Sequence, residues 1–258
     1  MDSDAPDEVP IDEPPPPPAE REIVYRHRWP TRLWHWLNAV TVFVLLMSGL
    51  MIFNAHPRLY WGEYGANPDP AWLEIAGSRA APAIPGWATI PSTYDLAGAR
   101  SWHFLFAWLL LVPGLLFWMA SLANRHFRRD LLPKQGELAP RHLWQDIRNH
   151  ARLRLPTGAA ARDYNILQKL SYLGVVFLLL PLMVLTGLAM SPGMDAGWPW
   201  LLDLFGGRQS ARSVHFIVAT LLLGFILVHL LMVVLAGPVN EIRSMITGRY
   251  VLPPDKAP

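Results

Sequence analysis

Four long apolar runs constrain the fold of this 258-residue chain more than any other feature. A helix needs roughly 20 mainly apolar residues to cross the hydrocarbon core of a membrane. A soluble domain does not gather its apolar residues into such blocks, whereas 52% of this chain is hydrophobic and concentrated in them. The sequence therefore predicts an all-α membrane protein with a four-transmembrane-helix bundle. The predicted spans cover about residues 33–53, 102–123, 170–190 and 213–236.

Lysine and arginine are distributed unevenly between the two sides that these spans define. Seventeen of the 22 lie in the N-terminal segment, the segment between the second and third spans, and the C-terminal segment. The other five lie in the two remaining connections. Positively charged loops stay in the cytoplasm. The pattern predicts a multi-pass protein of the bacterial inner membrane with both termini in the cytoplasm.

Three segments follow from this topology. Residues 1–22 are acidic and proline-rich without apolar periodicity, and we expect a disordered cytoplasmic tail. Residues 23–250 form the membrane domain, and 251–258 a C-terminal tail. The outer segment 54–101 is rich in tryptophan, tyrosine and proline. It is either an interfacial cover or a docking platform for an extracytoplasmic partner, and both can hold.

The chain contains no cysteine. This excludes iron–sulfur clusters, covalently attached c-type haem, thiolate zinc sites and disulfides within the chain. Any redox cofactor must therefore be held by other ligands.

Histidines in the apolar runs supply such ligands. His215 and His229 are fourteen residues apart in one run, so they lie on nearly the same helix face with a rise of about 21 Å between them. His35 and His103 open the first and second runs. With the N-terminus inside, depth pairs His103 with His215 near the outer face and His35 with His229 near the inner face.

An ionisable residue inside a membrane is costly, and four matched in depth indicate a function. Neutral imidazole is a good axial ligand for haem iron. The sequence predicts two haems b, with His103/His215 at the outer haem and His35/His229 at the inner one. We interpret the other histidines as solvated, without a ligand role: His27, His56, His126, His142 and His150.

Other residues support this interpretation less directly. Small residues let a porphyrin press on helix backbone, and five glycines could do so, although glycine is common in membrane helices. Haem propionates need cations near the membrane surfaces. The alternative explanation for arginines there is that their charged ends simply reach the membrane–water interface. The candidate glycines are Gly49, Gly114, Gly174, Gly187 and Gly224, and the candidate propionate cations are Arg28, Arg32, Arg100 and Arg212.

The chain resembles the cytochrome b subunits of membrane-bound molybdoenzymes and nickel–iron hydrogenases, and within them the thiosulfate-reductase-type proteins. The resemblance covers about residues 24–250 and is carried by RHRWPTRLWHWLN, LMSGLMIFNAHPRLYWGEYG, YNILQK and SVHFIVATLLLGFILVH. It implies two haems b held by His35, His103, His215 and His229. It also implies a quinone site beside the inner haem, formed by Asn165 of YNILQK and bordered by His229. On the sequence alone, an asparagine directly before a span is more often a helix cap.

The function expected from this resemblance is that of an electron-transfer subunit, not of the catalytic subunit. It would move electrons between the quinone pool and a periplasmic, molybdopterin-dependent oxidoreductase of a respiratory chain. Two alternatives remain: a stand-alone quinol-oxidising b-type cytochrome with a small acceptor, and a transporter that uses histidines as a proton relay.

Overall fold

The computed structural model describes residues 22–78, 81–124, 132–134, 136–152 and 165–252. The predicted tail before residue 22 and the last residues of the C-terminal tail lie outside this part of the chain. The elements in chain order are β1 (Ile23–Tyr25), α1 (Trp29–Asn54), β2 (Arg58–Leu59), β3 (Leu73–Glu74), a 3-10 turn (Gly86–Ala88), α2 (Leu96–Ala123), α3 (Pro140–Ala151), α4 (Ile166–Gly174), a π-helical turn (Val175–Leu179), α5 (Leu180–Ala189), α6 (Pro192–Gly197), α7 (Trp200–Leu204), α8 (Arg208–Ala236), α9 (Pro238–Thr247) and β4 (Arg249–Val251).

Four helices are long and apolar enough to cross a membrane, which confirms the predicted helical architecture. They are α1, α2, the continuous helix Ile166–Ala189 formed by α4, the π-helical turn and α5, and α8. Within the apolar window of each, only 11–22% of residues are buried inside the protein. Their remaining apolar surface therefore faces outward, as lipid-facing helices require.

Each spanning helix begins four to six residues before the predicted apolar run, because the helical hydrogen bonds continue into polar sequence. Asp95 caps α2 by accepting a hydrogen bond from the backbone N–H of Gly98 at 2.9 Å. Asn165 caps α4 in a reciprocal capping box with Gln168. These caps satisfy backbone N–H groups in the polar sequence before the apolar runs. Hydropathy alone therefore does not predict where the helices begin.

The four spans pack mainly as two helical pairs. α1 packs on α2, and α5 packs on α8. In the third span the π-helical turn ends two residues before Pro181, which lies in the first turn of α5 and has no N–H to donate. The wider turn accommodates this missing hydrogen bond, so the helix continues across the membrane.

Two short antiparallel sheets accompany the helices. β1 pairs with β4, with Ile23 opposite Val251 and Tyr25 opposite Arg249. This ribbon joins the two ends of the membrane domain. β2 pairs with β3 inside the outer segment.

The outer segment is fixed to the beginning of α8. The indole Nε1 of Trp72 donates to Ser213 Oγ at 2.9 Å, and Ser213 in turn donates to the carbonyl of Tyr60. The backbone N–H of Gly62 donates to Ser210 Oγ at 2.7 Å. The segment therefore covers the N-terminal end of α8, the helix that carries two of the four membrane histidines.

Candidate metal centres

The structure brings His103 and His215 together near one end of the bundle. His103 is the eighth residue of α2 and His215 the eighth residue of α8. Their ring centres are 6.2 Å apart, and the ring planes are inclined at 59°. The predicted outer pair therefore forms between the two helical pairs, with α2 from one and α8 from the other.

His35 and His229 form the second pair. His35 lies in the second turn of α1 and His229 in the last third of α8, and their ring centres are also 6.2 Å apart, with the planes inclined at 54°. The structure thus groups the four membrane histidines as the depth argument predicts.

The spacing within each pair fits a metal ion between two imidazoles. With metal–nitrogen bonds of about 2.0 Å and about 1.2 Å from each nitrogen to its ring centre, two such rings stand about 6.4 Å apart. Among the described residues, no three histidine, cysteine, aspartate or glutamate side chains meet to form a fuller ligand set. Each pair therefore offers two protein ligands, which suits an iron whose other four ligands come from a porphyrin.

Both outer histidines have a hydroxyl partner on a neighbouring helix. Nδ1 of His103 lies 3.0 Å from Ser48 Oγ of α1, and Nδ1 of His215 lies 2.8 Å from Thr186 Oγ1 of α5. Engaging Nδ1 in this way leaves Nε2 of each ring for a metal. The sequence interpretation missed both hydroxyl residues, although each stands directly before one of the candidate glycines.

Those two glycines lie against the outer histidines. A Cβ on Gly49 would stand 3.3 Å from Cε1 of His103, and a Cβ on Gly187 would stand 3.6 Å from Cε1 of His215. The other three glycines do not contact a histidine. A Cβ on Gly114 would meet the Trp34 ring at 3.1 Å, and nothing lies within 4 Å of one on Gly174 or Gly224.

The inner pair has aromatic neighbours. Nδ1 of His35 is buried without a hydrogen-bond partner among the described residues. Its ring meets Trp36 edge to face at 5.2 Å. The ring of His229 stacks on Phe225 at 5.9 Å, and Phe225 in turn meets Tyr172 edge to face. The two sites therefore differ in polarity around their ligands.

The four candidate propionate cations have different surroundings. Arg28 is exposed, and the exposed Arg100 places its guanidinium 5.7 Å from the centre of the Phe104 ring. Arg32 donates to the carbonyl of Ile246 at the end of α9. Arg212 donates to the carbonyls of His56 and Arg58, so its position ties the outer segment to α8. Their propionate role stays a prediction.

The interpretation of His27 as solvated is wrong. Only 8% of this residue is exposed, because it follows the β1–β4 ribbon, where the backbone N–H of His27 bonds to the carbonyl of Gly248 at 3.4 Å. Burial, followed by the charges of Arg26, His35 and Arg32, lowers the pKa of His27 to about 4. His27 is therefore a neutral buried residue near the inner pair.

His56 also differs from a solvated histidine. Its Nε2 is buried without a hydrogen-bond partner among the described residues, and its ring stacks on Tyr60 at 5.7 Å. Burial, then the charges of Arg212 and Arg58, lowers the pKa of His56 below its usual value. His142 is exposed, as expected. His126 and the side chain of His150 lie outside the described residues.

The YNILQK segment contains a residue that the sequence interpretation missed. Asn165 Oδ1 accepts from the backbone N–H of Gln168 at 2.9 Å, so this residue does act as a helix cap. Lys169 is 3% exposed, and its Nζ donates to both carboxylate oxygens of Glu137 at 2.9 and 2.8 Å. The ion pair fastens the segment before α3 to the start of the third span.

In this helical membrane protein, two histidines of one span each face a histidine of another span. This is the architecture of a b-type cytochrome. The chain belongs to the prokaryotic cytochrome b561 family, whose model matches residues 26–248. Membership implies that it binds haem b. The family expected from the sequence is thereby confirmed, whereas the thiosulfate-reductase-type detail stays a prediction.

Three relatives illustrate this family, each under a provisional name. The chain is 31% identical over 230 residues to a protein-methionine-sulfoxide reductase subunit, YedZ1, of Azospira oryzae, covering 88% of this chain and 98% of the relative. It is 24% identical over 242 residues to a Ni/Fe-hydrogenase B-type cytochrome subunit of Cupriavidus necator, covering 88% and 86%. It is 27% identical over 234 residues to the cytochrome YdhU of Escherichia coli, covering 89% and 75%. No solved structure gives a significant match. The chain is thus similar to cytochrome b electron-transfer subunits of membrane redox complexes.

Proposed function

We propose that the chain is a di-haem cytochrome b subunit that anchors a redox complex and moves electrons between the quinone pool and a partner at the outer face. The observation that carries this proposal is the pair of 6.2 Å ring separations, at His103/His215 and at His35/His229. Two equal sites, each with the spacing that an iron between two imidazoles requires, support two haems instead of one.

Haem iron, when bound, accepts and releases one electron at a time. The residues of α8 determine how far apart the two sites lie, because His215 and His229 are separated by a rise of about 21 Å along one helix. An electron that moves between the sites crosses much of the membrane potential, worth about 2.3 kcal/mol per charge for each 100 mV. All four histidines are half-buried within the protein and lie in helices apolar enough to span a membrane, where a charged side chain is costly.

We place the quinone end at the inner face, beside His35 and His229. The resemblance of YNILQK to the quinone-binding stretch of related cytochromes supports this placement, with Asn165 and His229 as the candidate quinone residues. The Asn165 carbonyl oxygen accepts the backbone N–H of Gln168, so this oxygen serves the helix cap at the start of the third span.

We place the protein partner at the outer face. The outer segment covers the α8 end beside His103 and His215, and it presents exposed aromatic side chains such as Tyr64 and Trp87. The names of the Azospira and Cupriavidus relatives describe them as subunits of a reductase and a hydrogenase. By resemblance, we propose a periplasmic molybdopterin-dependent oxidoreductase as the partner.

The proposed location is the bacterial inner membrane, with both termini in the cytoplasm. The charge distribution along the sequence supports this orientation. The β1–β4 ribbon supports only the placement of both ends on the same side, because it holds the two ends of the membrane domain together.

Haem quantification on the purified chain tests the central claim. We expect two non-covalent haems b per chain and a b-type redox-difference spectrum. His103→Ala should remove one haem and leave the other, and His35→Ala should do the same for the second haem. His142→Ala, in an exposed position, is the matched control and should retain both. A chain without haem after expression in a haem-replete host would contradict the proposal and would favour the transporter alternative.

Co-purification tests the partner. Mild detergent extraction from the native membrane should yield a stoichiometric outer-face oxidoreductase together with the cytochrome. Quinol oxidation that persists at full rate in the isolated chain with a small acceptor would instead support a stand-alone enzyme.

A further inference from the structure

The same hydrogen-bond arrangement holds both outer histidines, with a hydroxyl group from a different helix beside each ring. Ser48 donates its hydroxyl proton to the carbonyl of Val44 at 2.7 Å while its Oγ lies 3.0 Å from His103 Nδ1. Thr186 donates its hydroxyl proton to the carbonyl of Leu182 at 2.6 Å while its Oγ1 lies 2.8 Å from His215 Nδ1. Each hydroxyl belongs to a spanning helix that packs directly on the helix of its histidine.

This arrangement determines which nitrogen of each ring carries the proton. A hydroxyl has a single proton, and in both residues the carbonyl four positions earlier takes it. The hydroxyl oxygen is then an acceptor toward the ring, and this arrangement favours the tautomer in which Nδ1 of His103 and of His215 carries the proton. Nε2 would then carry the lone pair that a haem iron needs from its ligand.

At the inner site, His35 has no hydroxyl acceptor of this kind among the described residues. Nδ1 of His35 is buried with no hydrogen-bond acceptor among the described residues. The ring of His35 contacts Trp36, and the ring of His229 contacts Phe225. Hydroxyl acceptors therefore distinguish the outer ligands from His35.

We propose that Ser48 and Thr186 are positioning residues that lower the midpoint potential of the outer haem through its two ligands. An acceptor on Nδ1–H increases electron donation from Nε2 and raises the basicity of the ligand. A more basic ligand stabilises ferric over ferrous iron, because the ferric ion carries the additional positive charge. The outer haem then gives up its single electron more readily than it would without the two hydroxyls. This inference rests on the two-haem function proposed above.

Redox titration of the purified full-length chain tests the inference. Thr186→Val keeps the shape of the side chain and removes the hydroxyl, and Ser48→Ala removes the other hydroxyl. In each variant we expect the midpoint potential of one haem to move in the positive direction while that of the other stays unchanged. The conservative variants Thr186→Ser and Ser48→Thr should keep the original potential.

Thr220→Val is the matched control within α8. Thr220 makes the same bond to the carbonyl four residues earlier, at 2.9 Å to Phe216, but it is exposed and has no hydrogen bond to a ring nitrogen within the part of the chain that the structure describes. Its substitution should leave both potentials unchanged.

Three outcomes would overturn the inference: unchanged midpoints in Thr186→Val and Ser48→Ala with both haems retained, a negative shift, or a shift of equal size in Thr220→Val. If Thr186→Val loses the outer haem while Thr186→Ser retains it, the hydroxyl is confirmed as what positions His215. Equal loss in Thr186→Ser would contradict that role. A wild-type chain without two haems would instead refute the proposed function itself.

Discussion

The buried ion pair between Lys169 and Glu137 yields a sharp prediction about stability. The Lys169 side chain is 3% exposed and the Glu137 side chain 22% exposed, so the two partners are not equivalent. Glu137→Leu leaves an ammonium group buried without its counter-charge, which costs about 3–5 kcal/mol. Lys169→Met leaves a carboxylate that reaches water and still accepts the backbone N–H of Lys134 at 2.8 Å. We expect that change to cost about 1–2 kcal/mol.

The double variant Glu137→Leu with Lys169→Met completes the cycle. It contains no buried charge, so it should be less destabilised than Glu137→Leu alone. The free energy of unfolding can be measured by reversible denaturation in mixed detergent micelles, followed by circular dichroism. A cost for Lys169→Met equal to that for Glu137→Leu, or a double variant at least as destabilised as the sum of the two, would refute this reasoning.

The pH dependence of the same pair has a defined sign. Burial alone would raise the pKa of Glu137, but the hydrogen bond from Lys169, the backbone N–H of Lys134 and the charges of both residues outweigh it and hold that pKa below its usual value. The stabilisation should be complete above the unfolded-state pKa of about 4.3 and be lost as the pH falls further. Lys169→Met should weaken this acid dependence and leave only the part due to the backbone N–H and the charge of Lys134.

Three further predictions concern single residues. The pKa of His27 is about 4 in the folded chain, so protonation of this residue favours the unfolded state. The free energy of unfolding should therefore fall by about 3 kcal/mol as the pH drops from 6.5 to 4, and then level off. His27→Gln should flatten this slope when denaturation is measured at several pH values. Gly49→Ala should displace the His103 ring and reduce retention of one haem, whereas Gly174→Ala should retain both by haem quantification. Asn165→Asp should preserve the helix cap, whereas Asn165→Ala should lower the free energy of unfolding by about 1 kcal/mol. If Asn165→Asp reacts more slowly with quinone although its cap is intact, the quinone role is distinct from capping.

Much of the architecture could be predicted because membrane insertion imposes simple rules on sequence. Apolar runs of the required length predicted four spans, and the charges between them gave each histidine a depth. That depth was sufficient to pair His103 with His215 and His35 with His229. No tertiary information was needed, because spanning helices all traverse the same layer.

The remaining features depend on contacts that sequence spacing does not report. Ser48 and Thr186 are ordinary residues in membrane helices until a ring nitrogen is found beside each hydroxyl. On the sequence alone, Lys169 is one more positive charge of its segment, since its partner lies 32 residues earlier in the chain. The sequence predicts a solvated His27, because a three-residue strand that pairs with the far end of the chain leaves no periodic signal.

That terminal ribbon has a consequence for the connectivity of the whole domain. The backbone N–H of Leu252 donates to the carbonyl of Glu22 at 2.9 Å, so the described polypeptide returns to its starting point. A short peptide linker could join these two ends into a closed ring without displacing a spanning helix. New ends opened in the outer segment would then give a circularly permuted cytochrome whose first and last residues emerge on the opposite side of the membrane.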